Sequence, residues 1–93
     1  VALDVPVARE TLAQVAGATT AALHRRLTPC GTAYDGDVVF AVCPAGPPVA
    51  DGGAAALHRE ALAVAALEDA IERAVRHAVG RDGVPGLADD AGE

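Results

Sequence analysis

The 93 residues predict an α/β chain ordered strand, helix, strand, helix, and three observations carry that expectation. Short apolar runs at Val1 to Val5 and Val38 to Cys43 suit strands. Two long segments repeat apolar residues at spacings of three and four. Prolines and glycines fall between these runs and separate them.

Val1 to Val5 is largely apolar, with Asp4 near its end, and Pro6 stops it because proline cannot donate to a central ladder. The chain opens on this strand with Val rather than Met, so the expectation is a piece of something longer. The first helix is expected from Ala8 to Leu27. Leu12, Val15, Ala16, Thr19, Ala22, Leu23 and Leu27 fall on one face of it. Glu10 at its start and Arg25 and Arg26 at its end suit the helix dipole. Pro29 closes the helix by pushing the preceding residue out of helical geometry.

Cys30 to Tyr34 is a connection, and Asp35-Gly36-Asp37 is a turn that opens the second strand. The continuous apolar character of Val38 to Cys43 predicts burial on both faces. From 44 to 53, three prolines and three glycines predict a loop. The second helix is expected from Ala54 to Val79, with Leu57, Ala61, Val64, Leu67, Ile71, Val75 and Ala78 as its buried stripe. Gly80 is placed to end it in a left-handed conformation. Residues 1–80 then form the folded part, and 81–93 a flexible acidic tail.

Composition narrows the function. Twenty-three residues are alanine, and Trp and Met are absent. Burial stabilises by about 25 cal/mol per Å² of apolar surface, and alanine supplies little area. Two strands make no independent sheet, so the chain is expected to need a larger partner. Net charge is −6 with seven Arg and no Lys, which excludes a basic nucleic-acid face. No apolar stretch is long enough to span a membrane, no signal pattern is present, and the expected location is cytoplasmic. Cys30 and Cys43 form no close pair, which argues for reduced thiols and against a zinc or redox motif.

The chemistry-bearing candidates are Asp35 and Asp37. In extended backbone both would lie on one face, Cα atoms roughly 6.5 Å apart. Carboxylates so close resist joint ionisation unless a cation lies beside them. A protonated amine is a natural choice, whereas two carboxylates are a thin ligand set for a metal. The plain alternative is turn chemistry alone, with Asp capping its own backbone. Tyr34 beside them is the candidate substrate contact. His24, His58 and His77 all fall in helices and make no His-Glu-x-x-His pattern. The chain has no serine, and its threonines lie in a helix or a connection. A hydrolytic nucleophile would have to come from elsewhere. No cofactor or metal is expected.

One family resemblance accounts for these residues together. Val1-Ala2-Leu3-Asp4-Val5-Pro6, an Ala-rich helix, Leu27-Thr28-Pro29, and then Thr32-Ala33-Tyr34-Asp35-Gly36-Asp37-Val38-Val39-Phe40-Ala41 resemble the C-terminal portion of the self-cleaving aminopeptidases. That family includes the L-aminopeptidase/D-amidase/esterases, the β-peptidyl aminopeptidases and the nylon-oligomer hydrolases. The resemblance spans Val1 to Val79 and is most specific at the aromatic-Asp-Gly-Asp-x-Val-Phe-Ala run. It implies a precursor that cuts itself into a large α chain and a small β chain, assembled as oligomers of αβ units. The new terminal Thr or Ser of the β chain is the nucleophile. It implies a four-layer α-β-β-α sandwich completed by the larger chain.

By this likeness the nucleophile lies a few positions before Val1. Asp35 then matches the position facing it, and Asp37 the carboxylate behind. The Asp-x-Asp form is closer to the nylon-oligomer hydrolases than to the β-peptidyl enzymes, which look more like Ser-Gly-Glu here. Two departures stand out: the nucleophile is not within 1–93, and Gly31 stands where many relatives carry histidine. The implied reaction is cleavage of amide bonds in short peptides or ω-amino-acid oligomers. An N-terminal threonine suits this, since its own amine serves as base to its hydroxyl. The alternatives are a small acidic interaction module without catalysis, and a self-cleaving acyltransferase of related fold.

Overall fold

A computed structural model describes residues 1–50 and 52–90. It holds two α-helices, α1 at Arg9–Arg26 and α2 at Gly53–Arg76, and a short 3-10 helix at Leu87–Asp90. The expected strand-helix-strand-helix portion of a sandwich does not form. Among the described residues there is no sheet, only isolated bridges at Ala2–Val42 (parallel) and Arg81–Val84 (antiparallel). The physical reason is the shortage of neighbours. One ladder of three main-chain bonds joins the two apolar runs: Leu3 N–H to Val42 O at 2.8 Å, Val42 N–H to Val1 O at 2.9 Å, and the Val1 ammonium to Phe40 O at 2.7 Å. A pair of strands with no third partner is at best marginal.

Val38 to Cys43 is accordingly not buried on both faces. Val38, Phe40 and Val42 are exposed, at 63%, 73% and 57%. Val39, Ala41 and Cys43 on the alternate face are half-buried. The run keeps the two-residue alternation of extended backbone, but only one side of it is covered.

α1 forms close to its expected bounds. Val15, Thr19 and Ala22 of its apolar face are buried, and Leu12, Ala16 and Leu23 half-buried. Thr19 is fully buried because its hydroxyl donates to Ala16 O at 2.9 Å, which leaves no unpaired polar group inside. Neither helix has a side-chain N-cap. After α1, the Thr28–Pro29 peptide is cis.

α2 ends three residues earlier than expected, at Arg76. Its N–H to O ladder is closed by His77 N–H to Arg73 O at 2.9 Å. Gly80 is not its left-handed terminator; positive φ occurs instead at Asp82 and Gly83. Of the expected buried stripe, Val64, Leu67 and Ile71 are half-buried, while Leu57, Ala61, Val75 and Ala78 are exposed. The fully buried position is Ala63. α1 is six residues shorter than α2 and cannot cover a stripe that runs the whole length of α2.

Three cross-helix contacts set direction. Gln14 donates to Glu60 at 3.3 Å, Arg25 pairs with Glu68 at 3.3 Å, and Arg26 with Glu72 at 3.4 Å. Both numbers rise together, so α1 and α2 run the same way. The chain from 27 to 50 therefore runs back along the helices, carrying 38–43 antiparallel to them. Val15, Thr19, Ala22 and Ala63 are the whole buried core among the described residues. The radius of gyration is 16.4 Å, against about 12 Å for a compact chain of this length.

The segment expected as an acidic tail, 81–93, contains ordered geometry up to Asp90: a turn at Arg81–Val84 and the 3-10 helix. Residues 91–93 lie outside the described residues.

Candidate functional site

The acidic turn lies beyond the C-terminal end of α1, between the helix and the extended run. Two carboxylates shape it. Asp35 Oδ2 accepts the Thr32 N–H at 2.9 Å, while Asp35 N–H donates to Thr32 O at 3.2 Å. The Thr32 hydroxyl accepts the Tyr34 N–H at 3.3 Å. Asp37 Oδ2 accepts the Gly31 N–H at 2.8 Å and the Cys30 thiol at 3.5 Å. Asp residues readily fold onto nearby backbone in this way.

The electrostatics follow from these bonds. The Thr32 N–H, and after it the Thr32 hydroxyl, hold the Asp35 carboxyl below its usual range. Donors that favour the charged form act in this direction. Asp35 is thus an anion at neutral pH, suited to accept a hydrogen bond or hold a cation, and unsuited to deliver a proton. Partial burial pushes the Cys30 thiol up, and so do its bond to Asp37 and the negative charge of Asp37 and Asp35. Cys30 stays a thiol at neutral pH, which removes it as a nucleophile, since the thiolate is the reactive form.

The structure brings Asp35 and Asp37 into one turn, as the sequence predicts, and leaves both exposed. Tyr34 is 100% exposed and packs against nothing that would make it a pocket wall. Among the described residues, no group of three or more His, Cys, Asp or Glu is placed to hold a metal ion. No helix there is long and apolar enough to cross a membrane.

Three neighbours of the turn escape a reading by motif. Cys30 and Thr32 bind the two carboxylates directly. His24, in the last turn of α1, lies against Gly31: a Cβ there would sit 2.9 Å from His24 Cε1. Gly31 also has φ +67°, a conformation that favours glycine. Histidine at 31 is therefore excluded while His24 keeps its position. The available signal was Gly31 itself, a lone glycine between a proline-stopped helix and the acidic turn.

No family model, curated protein or solved structure matches the chain. The likeness to the self-cleaving aminopeptidases rests on the quoted residues alone.

Proposed function

We propose that this chain is the small subunit of a self-processing N-terminal-nucleophile amide hydrolase, with Asp35 and Asp37 as the acidic residues beside its nucleophile. The observation that carries the reading is the parallel pairing of Ala2 with Val42. With that offset of 40 residues, a chain continuing upstream in the same register sets the fourth residue before Val1 opposite Asp37. An N-terminal Thr or Ser in that neighbourhood brings an ammonium to two exposed carboxylates. Coulomb attraction at about 4 Å is worth about 1 kcal/mol in water and more where solvent is excluded. The carboxylates orient the amine; in its neutral form it takes the hydroxyl proton as the oxygen attacks the amide carbon, and it returns that proton to the departing amine as the C–N bond breaks. The substrate class is short peptides or ω-amino-acid oligomers, by resemblance. A larger partner chain supplies the cover that Val38, Phe40 and Val42 lack.

A second reading has its own support. Both carboxylates already close the turn through Thr32 and Gly31 N–H groups, which suits a non-catalytic interaction module. The residues encoded upstream of Val1 and the Asn variants of both acids separate the two. A Thr or Ser preceded by a processed bond, with turnover lost in Asp35→Asn, supports the hydrolase. Unchanged processing and turnover in folded Asp35→Asn and Asp37→Asn protein reduces the two acids to turn residues, and no turnover of amino-acid amides, β-peptides or 6-aminohexanoate oligomers by the parent protein supports the module.

A further inference from the structure

The C-terminal segment after α2 folds back on itself and is closed by one side chain. Arg81 and Val84 exchange two main-chain bonds, each 2.9 Å, around Asp82-Gly83. Both central residues have positive φ, 54° and 83°, which is the signature of a type I′ turn and a reason for the Asp-Gly pair. The chain then returns, and Ala88 N–H donates to Ala78 O at 2.9 Å. Asp89 completes the loop: Oδ1 accepts Gly80 N–H at 2.7 Å, and Oδ2 accepts Gly86 N–H at 2.8 Å.

The two glycines are required by space. A Cβ at Gly80 would stand 2.6 Å from Asp89 Oδ2, and one at Gly86 would clash with the Ala78 carbonyl oxygen. This close approach holds Leu87 over the end of the helix pair. There Leu87 walls a cavity of about 280 Å³ with Leu27, Ile71 and Val75, rimmed by Arg26 and Glu72. Leu87, Val75 and Leu27 are each at least 38% exposed, so the wall is thin.

We infer that residues 77–90 are a strap latched by the Asp89 carboxylate, and that opening the latch uncovers the apolar groove of Leu27, Ile71 and Val75. From Gly80 to Asp89 the strap's hydrogen bonds run within the strap itself, while His77 N–H to Arg73 O at 2.9 Å and Ala78 N–H to Val75 O at 3.3 Å tie its first two residues to the end of α2. Beyond that root, its hold on the helices is the Leu87 contact. Such a unit opens locally without unfolding α1 or α2. The latch is charge-assisted and bidentate, and both amides lose their partner when the carboxylate is removed.

The test uses the full protein and follows amide exchange, together with the methyl signal of Ile71, the single isoleucine of the chain. In Asp89→Ala the Gly80 and Gly86 amides should exchange about tenfold faster or more, while amides around Ala63 keep their rates. The Ile71 methyl resonance should move as Leu87 leaves. Asp89→Asn, with one carbonyl oxygen to accept a bond, should fall between. Leu87→Ala should move the Ile71 resonance and leave the Gly80 and Gly86 amides protected. The proposal is overturned by Gly80 and Gly86 amides already unprotected in the parent protein, by unchanged exchange in Asp89→Ala, or by faster exchange spread evenly through α1 and α2. An Ile71 resonance indifferent to Asp89→Ala would equally remove the link between latch and groove.

Discussion

The acidic turn at 30–37 and the strap at 77–90 use the same chemistry to different ends. Each folds backbone onto aspartate, and in each the N–H donors hold a carboxyl below its usual range. At Asp89 both oxygens are spent on two amides, from Gly80 and Gly86. At the acidic turn the work is divided, with Asp35 on Thr32 and Asp37 on Gly31 and Cys30. One carboxylate suffices to close a turn, as Asp89 demonstrates. Two at one turn leave more negative charge exposed than closure requires, and that surplus is what a cationic amine would meet.

The largest expected difference between the two regions is in turnover. On the proposed hydrolase reading, Asp35→Asn in the assembled protein should cut amide hydrolysis by about 10²-fold or more, with Asp37→Asn smaller. Asparagine still accepts the Thr32 N–H, so the melting curve should hardly move. Asp89→Asn should leave turnover untouched. Equal kinetics for all three variants would erase the distinction and leave two structural turns.

Next in size is the dependence on a partner. Residues 1–93 alone, with four buried core residues among those described and an exposed Val38, Phe40 and Val42, should melt without a sharp cooperative transition. A calorimetric peak for the isolated monomer would contradict this.

Acid should loosen both turns by the same rule. A carboxyl whose folded value lies below its ordinary 3.8 contributes stability that is fully present above 3.8. That contribution is lost as pH falls through the lower folded value. Exchange at the Thr32 amide and at the Gly80 and Gly86 amides should therefore rise only below about pH 4, the ordinary carboxylate range. Asp35→Asn should flatten the first dependence and Asp89→Asn the second, each leaving the other in place.

The smallest effect belongs to the ion pairs that align the helices. Arg26 reaches Glu68 at 3.6 Å and Glu72 at 3.4 Å, with substantial solvent access. Arg26→Ala should cost no more than about 1 kcal/mol, as exposed pairs do, and salt should shrink that further. A chemical-denaturation series at low and high salt measures it.

Sequence by itself determined the helices and the turn. The spacing of Leu12, Val15, Thr19 and Ala22 is a local, periodic signal, and α1 follows it. Pro29 and the Asp35-Gly36-Asp37 run mark a break and a turn through backbone restrictions that act within a few residues. Asp82-Gly83 carried the same kind of local signal for a type I′ turn, inside a segment that composition alone marks as a tail.

Tertiary structure decided what depends on distant neighbours. Apolar Val38 to Cys43 reads as buried strand, yet burial needs layers on both sides, and the chain brings only Val1 to Leu3 to one edge. The stripe of α2 reads as buried along its length, yet α1 reaches only part of it. The approach of His24 to Gly31, and of Asp89 to Gly80, joins residues seven and nine apart through the return of the chain. Hydrophobic pattern states which faces avoid water; only the packed chain determines which of them succeed.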